Sequence, residues 1–310
     1  MLSQRMLMGK AGSGDGGGAT RNPYAIFGYG WVSSDQSITN LISNTGVVAG
    51  DVAGVGTARS ELAAASYGFD KVLFGYGFAG AAGSSLTNLV SNTGVVSGDV
   101  TGVGSARRAL AAARYGPDKA IFGYGSTGSA RRINNLVSNT GVVATDVTGV
   151  GTQRYELAAA SYGGDKAIFG YGKTAATGGS EVAITNKISN VGVAADDTTG
   201  VGWVRRGLAA ASYGGDKAIF GYGGWYAHYK SITNKVSNTG VVSTDTTGVG
   251  TERRELAAAT YGVDKAIFGF GYNGSNVAMT NLVSNTGVVS GDVTAAVGVR
   301  RWGAAASYGS

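Results

Sequence analysis

The sequence predicts an all-β fold, a six-bladed β-propeller whose ring is closed by pairing of the N- and C-terminal strands. Three observations predict it: a motif that recurs every 47 to 51 residues, strand-like segments bounded by glycine in each repeat, and ends that complement each other. A unit of ~45 to 50 residues repeated four to eight times is typical of a propeller. The motif is Asp-Lys-Ala-Ile-Phe-Gly-Tyr-Gly, and its phenylalanine recurs at Phe27, Phe74, Phe122, Phe169, Phe220 and Phe268.

The composition favours a packed core and argues against several classes of function. Hydrophobic residues make up 43% of the 310 residues and charged residues only 14%, which argues against disorder across the repeats. The absence of cysteine excludes disulfides, thiolate catalysis and cysteine metal sites. The net charge of +6 is spread along the repeats, whereas nucleic-acid binders usually cluster their basic residues. No apolar run reaches the length of a membrane span, so we expect neither nucleic-acid binding nor membrane insertion.

Residues 1–22 stand outside the repeat, and residues 23–310 form the repeat array. The segment from residue 9 to residue 20 is rich in glycine and cannot hold a unique conformation without a partner. Two interpretations stay open for it: a disordered tail, or a flexible arm that docks on a neighbouring subunit or another protein.

Each repeat contains the same elements in the same order. Ala-Ile-Phe-Gly-Tyr-Gly is short, apolar and bounded by glycine, which predicts a buried strand. A loop of different sequence follows in every copy. The next segment, residues 38–48 in the first copy, is rich in β-branched residues and predicts a strand interrupted by an Asn-Thr-Gly turn or bulge. Residues 245–250 and their counterparts predict a turn.

The last element of each repeat, Leu-Ala-Ala-Ala-Ser-Tyr-Gly, is ambiguous. Its alanines have high helix propensity, and a helix there would make an α/β solenoid. We favour a strand, because the run is short and its tyrosine always lies seven residues before the next phenylalanine. A hairpin with a Gly-x-Asp-Lys turn explains that constant spacing.

The two ends of the array complement each other. The first unit starts at Ala25 without a preceding alanine-rich strand, and residues 304–310 form such a strand without a following Phe-Gly-Tyr-Gly. Pairing of these two strands would complete six hairpins and close a ring. An open solenoid would need polar caps instead.

The order of these elements resembles the kelch repeat over residues 23–310, from Arg-x-x-Leu-Ala-Ala-Ala-Ser-Tyr-Gly through Asp-Lys-Ala-Ile-Phe-Gly-Tyr-Gly to the β-branched strand. The chain departs from the kelch pattern where Gly170-Tyr171-Gly172 replaces adjacent glycines, and it lacks the usual tyrosine and tryptophan of the third and fourth strands. The resemblance implies a propeller that more often binds or scaffolds than catalyses.

A second resemblance concerns the start of the chain and the style of the repeats. Residues 1–9 are similar to the opening of many predicted virion proteins of marine bacteriophages, and the near-identical repeats are similar to those of predicted phage tail proteins. This resemblance implies a multi-copy component located in the virion, attached to other virion proteins through its N-terminal arm.

An arginine and an aspartate each recur once per unit. The arginines form either a ring of cations suited to an anion or a structural set that bonds loop carbonyls and the aspartates of the same unit, and we favour the structural set. One carboxylate per turn is a thin ligand set for calcium, so we expect no metal and no cofactor. The residues are Arg59, Arg107, Arg154, Arg205, Arg253, Arg300, Asp51, Asp99, Asp146, Asp197, Asp245 and Asp292.

The loops after Phe-Gly-Tyr-Gly differ in every copy, and in a propeller all six emerge on the same face. Aromatic and arginine residues on loops held by a rigid scaffold suit recognition, although neutral drift of surface loops is the other interpretation. His228 is the only histidine, and we expect it to be a surface contact rather than a general base. The candidate binding residues are Trp31, Phe78, Arg131, Arg132, Trp225, Tyr226, His228, Tyr229 and Tyr272.

We therefore predict a non-enzymatic structural protein of a phage tail, with a loop face for a partner or a host-surface glycan or protein. A cellular carbohydrate- or protein-binding propeller is the alternative. A hydrolase or lyase on the same scaffold would need an acid/base pair. For that role the loops offer only Asp35, Glu181 and His228 as unusual titratable groups.

Overall fold

The computed structural model describes residues 24–175 and 179–309, and within these ranges the chain forms strands and loops but no helix. The fold is therefore all-β, as predicted. Residues 1–23, 176–178 and 310 lie outside the described residues, and with them the predicted N-terminal arm.

The described strands are short, and most of them have two to five residues. In chain order they are β1 (Tyr24–Trp31), β2 (Asp35–Ile42), β3 (Ala63–Tyr67), β4 (Lys71–Gly75), β5 (Phe78–Ala79), β6 (Ala82–Gly83), β7 (Thr87–Val90), β8 (Ala111–Tyr115), β9 (Lys119–Gly123), β10 (Ile133–Val137), β11 (Val147–Thr148), β12 (Ala158–Tyr162), β13 (Lys166–Gly170), β14 (Thr185–Ile188), β15 (Ala209–Tyr213), β16 (Lys217–Gly221), β17 (Gly224–Trp225), β18 (His228–Tyr229), β19 (Thr233–Val236), β20 (Ala257–Tyr261), β21 (Lys265–Gly269), β22 (Met279–Val283), β23 (Val293–Thr294) and β24 (Ala304–Tyr308).

Three kinds of strand combine in the same antiparallel order in six sheets. A strand carrying the Ala-Ile-Phe-Gly segment lies in the middle, an alanine-rich strand lies on one side, and a strand carrying Thr-Asn or Asn-Asn lies on the other. The alanine-rich segment is thus a strand, and its backbone pairs with the central strand over its whole length, from Ala158 opposite Gly170 to Tyr162 opposite Lys166. The alanine strands are β3, β8, β12, β15, β20 and β24.

The segment that follows the Asn-Thr-Gly turn was predicted to be a turn, and this prediction is wrong in part. In two sheets it forms a fourth strand, where β11 pairs with β10 and β23 pairs with β22. In the first sheet Thr39 and Val52 form a single bridge at the equivalent place. The reason is that the outer strand of each sheet has a free edge, whose backbone groups this segment satisfies.

The first and last described strands belong to one sheet, in which β1 pairs with β24. The register matches that of the internal hairpins: Gly28 lies opposite Ala304, as Gly75 lies opposite Ala63. The chain therefore completes its first sheet with a strand from its far end.

The alanine strands contact one another in a closed cycle, from β3 through β8, β12, β15, β20 and β24 back to β3. A ring of backbone hydrogen bonds runs just before these strands. In it, each N–H donates to the carbonyl of the equivalent residue in the preceding sheet, over 2.6–2.9 Å. All six residues have a left-handed φ of 53–61°, which turns each N–H toward its neighbour. The members of this ring, the axial ring, are Glu61, Ala109, Glu156, Gly207, Glu255 and Trp302.

Phe-Gly-Tyr-Gly joins each sheet to the next through its side chains. A Cβ on Gly28 would come within 2.7 Å of the Phe74 ring, and one on Gly269 within 2.5 Å of the Phe27 ring, so only glycine permits this approach. In five sheets the tyrosine after this glycine packs against the same phenylalanine, as Tyr222 does against Phe268 with 5.2 Å between ring centroids, and in the sixth Phe270 packs against Phe27. The motif is therefore part of the packing between sheets.

The six repeated arginines are fully buried and connect neighbouring sheets. Arg205 lies over the ring of Tyr171 in the preceding sheet, with 4.1 Å from its guanidinium carbon to the ring centroid. Its Nη2 donates to Asn234 Oδ1 over 2.7 Å in its own sheet. Arg300 repeats this arrangement between the last and first sheets, over Phe270 at 4.0 Å and donating to Asn40 over 2.5 Å. These contacts give the arginines a structural role.

The aspartate partners of these arginines differ from those predicted. Arg59 lies 3.5 Å from Asp99, which is in the next copy along the chain, rather than being paired with Asp51 of its own copy. Asp51 instead lies 3.9 Å from Arg300. The reason is that each sheet begins with the alanine strand of the preceding copy, so the sheet and the sequence repeat are out of phase.

Candidate functional site

The six variable loops start at one end of the molecule. The first residue of each loop forms a bridge with the residue immediately before the axial ring, as Phe78 does with Ser60 and Tyr272 with Arg254. Because the axial ring joins its members by hydrogen bonds, all six loop starts lie around it. We call this end the loop face.

Four of the predicted binding residues make separate contacts on this face, each with a different partner. Phe78 is half-buried beneath the guanidinium of Arg108, 4.6 Å from its ring centroid. Arg131 donates from Nε to Thr127 Oγ1 over 2.8 Å, and exposed Arg132 donates to the carbonyl of Gly151 over 3.4 Å. Half-buried Trp31 donates its backbone N–H to the carbonyl of Arg301 over 2.8 Å. These four residues show no shared site.

The other five predicted residues lie in one cluster made of two groups of rings, and a residue that was not predicted belongs to the first group. Trp203 lies edge-on to Trp225, with 6.5 Å between centroids, and Trp225 stacks on His228 at 6.4 Å. Tyr229 lies edge-on to Tyr272 at 6.1 Å. We call this cluster the aromatic patch; its members are Trp203, Trp225, Tyr226, His228, Tyr229 and Tyr272.

Trp203 had a signal in the sequence that our prediction did not use. In four copies a serine or threonine occupies its position, and this hydroxyl donates to the repeated aspartate, as Thr57 does to Asp99 over 2.6 Å. Trp203 keeps only the backbone bond, to Asp245 over 2.9 Å. Trp203 therefore departs from the serine or threonine of four copies, and this departure was visible in the sequence.

Three carboxylates that are buried or half-buried also line the loop face, and sequence reasoning missed them. Glu61, Glu156 and Glu255 occupy alternate positions of the axial ring. Each pairs with an arginine of the next sheet: Glu61 with Arg108 at 3.3 Å, Glu156 with Arg206 at 3.2 Å, and Glu255 with Arg301 at 3.4 Å. We call these six residues the glutamate–arginine belt. The alternation of glutamate and arginine between copies, at positions we treated as variable, was the signal available.

The belt glutamates are held in an environment that disfavours their charge. Burial raises the pKa of Glu61 to about 7, with Arg108 opposing the shift, and burial raises the pKa of Glu255 to about 7 against the effect of Arg254 and Arg301. Burial also raises the pKa of Glu156. Repulsion by neighbouring belt glutamates adds to the increase in the pKa of Glu61 and of Glu255.

These shifts predict that stability falls as pH rises from about 5 to 8. The folded state holds protons on Glu61 and Glu255 up to about pH 7, whereas the unfolded chain releases them near its lower pKa, so ionisation costs stability on the order of 2 kcal/mol per group. Because three belt glutamates have a raised pKa, Glu255→Gln should reduce the slope of unfolding free energy against pH by about a third in urea titrations. Glu252→Gln is the control, because Glu252 is 53% exposed. An unchanged slope in Glu255→Gln would contradict the prediction.

The alanine strands enclose a cavity of about 610 Å³. Hydroxyls at its wall bond from sheet to sheet: Ser66 donates to the carbonyl of Ser307 over 2.7 Å, and Ser212 to that of Ser161 over 2.7 Å. In β8 the equivalent residue is Arg114 instead of a serine or threonine, and it donates to the carbonyl of Pro117 over 2.8 Å. These polar groups hold the wall together, and the remaining lining is mainly alanine and glycine.

Within residues 24–175 and 179–309, no group of three His, Asp or Glu side chains is arranged to hold a metal ion. No helix of that part of the chain is long and apolar enough to cross a membrane. No known protein-family model matches the chain, and no curated protein matches it.

Proposed function

We propose that this chain is a non-enzymatic binding and structural protein, built as a six-bladed, kelch-like β-propeller closed by its terminal strands. The observation that carries the proposal is a constant framework that presents six different loops at one end. Recognition surfaces commonly combine a rigid scaffold with variable loops. The six similar sheets, the cyclic contacts of the alanine strands and the pairing of β1 with β24 support the propeller architecture.

The distribution of titratable groups on the loops supports a non-enzymatic role. Asp35 accepts a backbone bond from Gly80 over 2.8 Å, Glu181 pairs with Arg206 at 3.2 Å, and His228 stacks on Trp225. Each is engaged in a different contact, whereas an acid/base pair must meet at one substrate.

One observation favours a second candidate, a propeller-based hydrolase. Glu61 and Glu156 line a cleft of about 210 Å³ together with Arg108 and Tyr155, and burial raises the pKa of both carboxyls. Carboxylates with raised pKa values act as general acids. Release of reducing ends from oligosaccharides, abolished by Glu61→Gln, would distinguish this candidate from a binding protein.

The setting we propose is a bacteriophage virion, in the tail and in many copies, with residues 1–22 attaching the protein to other virion proteins. Its support is the resemblance of residues 1–9 and of the repeats to predicted virion proteins. We expect mass spectrometry of purified virions to detect the chain. A variant lacking residues 1–20 should fold with an unchanged melting temperature yet fail to enter virions. Loss of folding in this variant would contradict the arm hypothesis, and absence from virions would favour a cellular binding propeller.

A further inference from the structure

We infer that the aromatic patch binds a neutral oligosaccharide through the exposed faces of Trp225 and Tyr226. The inference rests on the proposed function, in which the loop face binds a partner, and it names the chemical class of that partner. Its evidence is the exposure of the rings, the way they are held, and the pairing of the charges around them.

The patch exposes aromatic surface that the fold does not need. Trp225 is 41% exposed and Tyr226 is 64% exposed, whereas the tyrosine or phenylalanine after each described Phe-Gly is almost fully buried. Large exposed aromatic rings on a rigid scaffold are typical of binding anchors. A sugar ring offers a face of C–H bonds that complements the negative face of an aromatic ring, and its hydroxyls can bond to the polar edges nearby.

The rings are held in place before any ligand binds. Tyr226 is at the tip of the β17–β18 hairpin with a φ of 51°, and its carbonyl accepts a bond from Arg254 Nη1 over 3.0 Å. The same arginine lies over the ring of Tyr229 at 5.2 Å, and Lys230 lies over Trp203 at 5.6 Å. A surface ordered in advance loses less entropy when it binds.

The cations around the patch lie beside two carboxylates of the protein, one of which is shared by two arginines. Lys230 lies 3.7 Å from Glu252, Arg254 2.9 Å from Glu255, and Arg301 3.4 Å from the same Glu255. Single-stranded nucleic acids and acidic polysaccharides are bound by cations that neutralise their charges. Above pH 7, where Glu255 is ionised, each of these cations has a charged carboxylate beside it, which favours a ligand without net charge over a polyanion.

The test measures binding of the full chain to an array of neutral oligosaccharides of glucose, galactose, mannose and N-acetylglucosamine. Oligo(dT) and a sulfated polysaccharide serve as charged probes. All four tryptophans of the chain, Trp31, Trp203, Trp225 and Trp302, lie on the loop face, so quenching of tryptophan fluorescence gives a second readout in solution. We expect Trp225→Ala and Tyr226→Gly to weaken binding of the neutral hit about tenfold or more, with little dependence on salt.

The control is Phe69→Gly, which removes an aromatic residue that is also 41% exposed but lies in the β3–β4 turn at the opposite end of its strand. Glycine occupies the equivalent position in two other copies, at Gly164 and Gly215, and Phe69 has a φ of 75°, so glycine fits there. We expect this variant to bind as the unmodified chain does.

Three results would overturn the inference. These are binding of only the charged probes, glycan binding that Trp225→Ala leaves intact, and absence of any glycan binding. If no glycan binds, a binding assay with intact host cells distinguishes failure of the sugar assignment from failure of the proposed binding function. If the chain still binds cells, the proposed function stands and the sugar assignment fails; if it binds neither, both fail.

Discussion

Arg205→Ala should lower the free energy of unfolding by about 3–5 kcal/mol, because it removes one partner of a buried, charged network. Arg205 is fully buried. Without it, Asn234 Oδ1 loses a bond of 2.7 Å and the carbonyl of Tyr222 loses one of 2.8 Å. The space under the guanidinium, against the ring of Tyr171, also becomes a cavity. Urea denaturation followed by circular dichroism measures the change.

Two further variants make this result interpretable. Arg132→Ala removes an exposed arginine and should change the free energy by no more than about 0.5 kcal/mol. Arg205→Lys keeps the charge but loses the planar fork that reaches both acceptors, so an intermediate loss is expected. If Arg205→Ala cost no more than Arg132→Ala, the buried arginines would not be the connections between sheets that their geometry indicates.

Removal of residues 303–310 should have the second large effect, which is loss of a cooperative thermal transition. The deletion removes β24 and leaves the backbone groups of β1, from Tyr24 to Gly28, without their partner strand. It also removes Tyr308 from the core beside Phe74 and the bond from Gly309 N–H to the carbonyl of Asp70. Exposed edge strands with buried apolar faces are unstable and prone to aggregate.

A synthetic peptide with the sequence of residues 302–310 tests whether pairing is the cause. Added to the truncated chain, it should bind beside β1 and restore part of the thermal transition. The variant lacking residues 1–20 is the matched truncation at the other end. An unchanged melting temperature after removal of residues 303–310 would show that the terminal strands do not hold the ring together.

The predictable part of the fold is the part carried by local pattern. Glycine-bounded apolar runs indicated the central strands, and a constant tyrosine-to-phenylalanine spacing indicated the hairpins, such as Tyr162 opposite Lys166. Helix propensity alone would have assigned the alanine segments wrongly. Alanine favours helix, but here the backbone of these segments pairs with the neighbouring strand. The fourth strands were missed because their pairing depends on a free edge that exists only in the folded sheet.

The site was predictable only in its outline. The variable loops pointed to Trp225, Tyr226, His228, Tyr229 and Tyr272, which do lie together in the aromatic patch. The same criterion also selected residues that have no common site, because variation in sequence marks a loop without saying which loops are neighbours.

By itself, the sequence determined the number of repeats, the order of strands within each repeat and the complementary ends. Each of these can be recognised from residues that are close in the chain or from segments that recur in every repeat. Only the tertiary structure decided that Asp99 rather than Asp51 lies beside Arg59, that Glu255 pairs with Arg301, and that Trp203 joins the aromatic patch. The physical reason is that these contacts cross from one sheet to the next or between successive copies. They depend on how the strands of neighbouring copies combine in space, which no local pattern of side chains encodes.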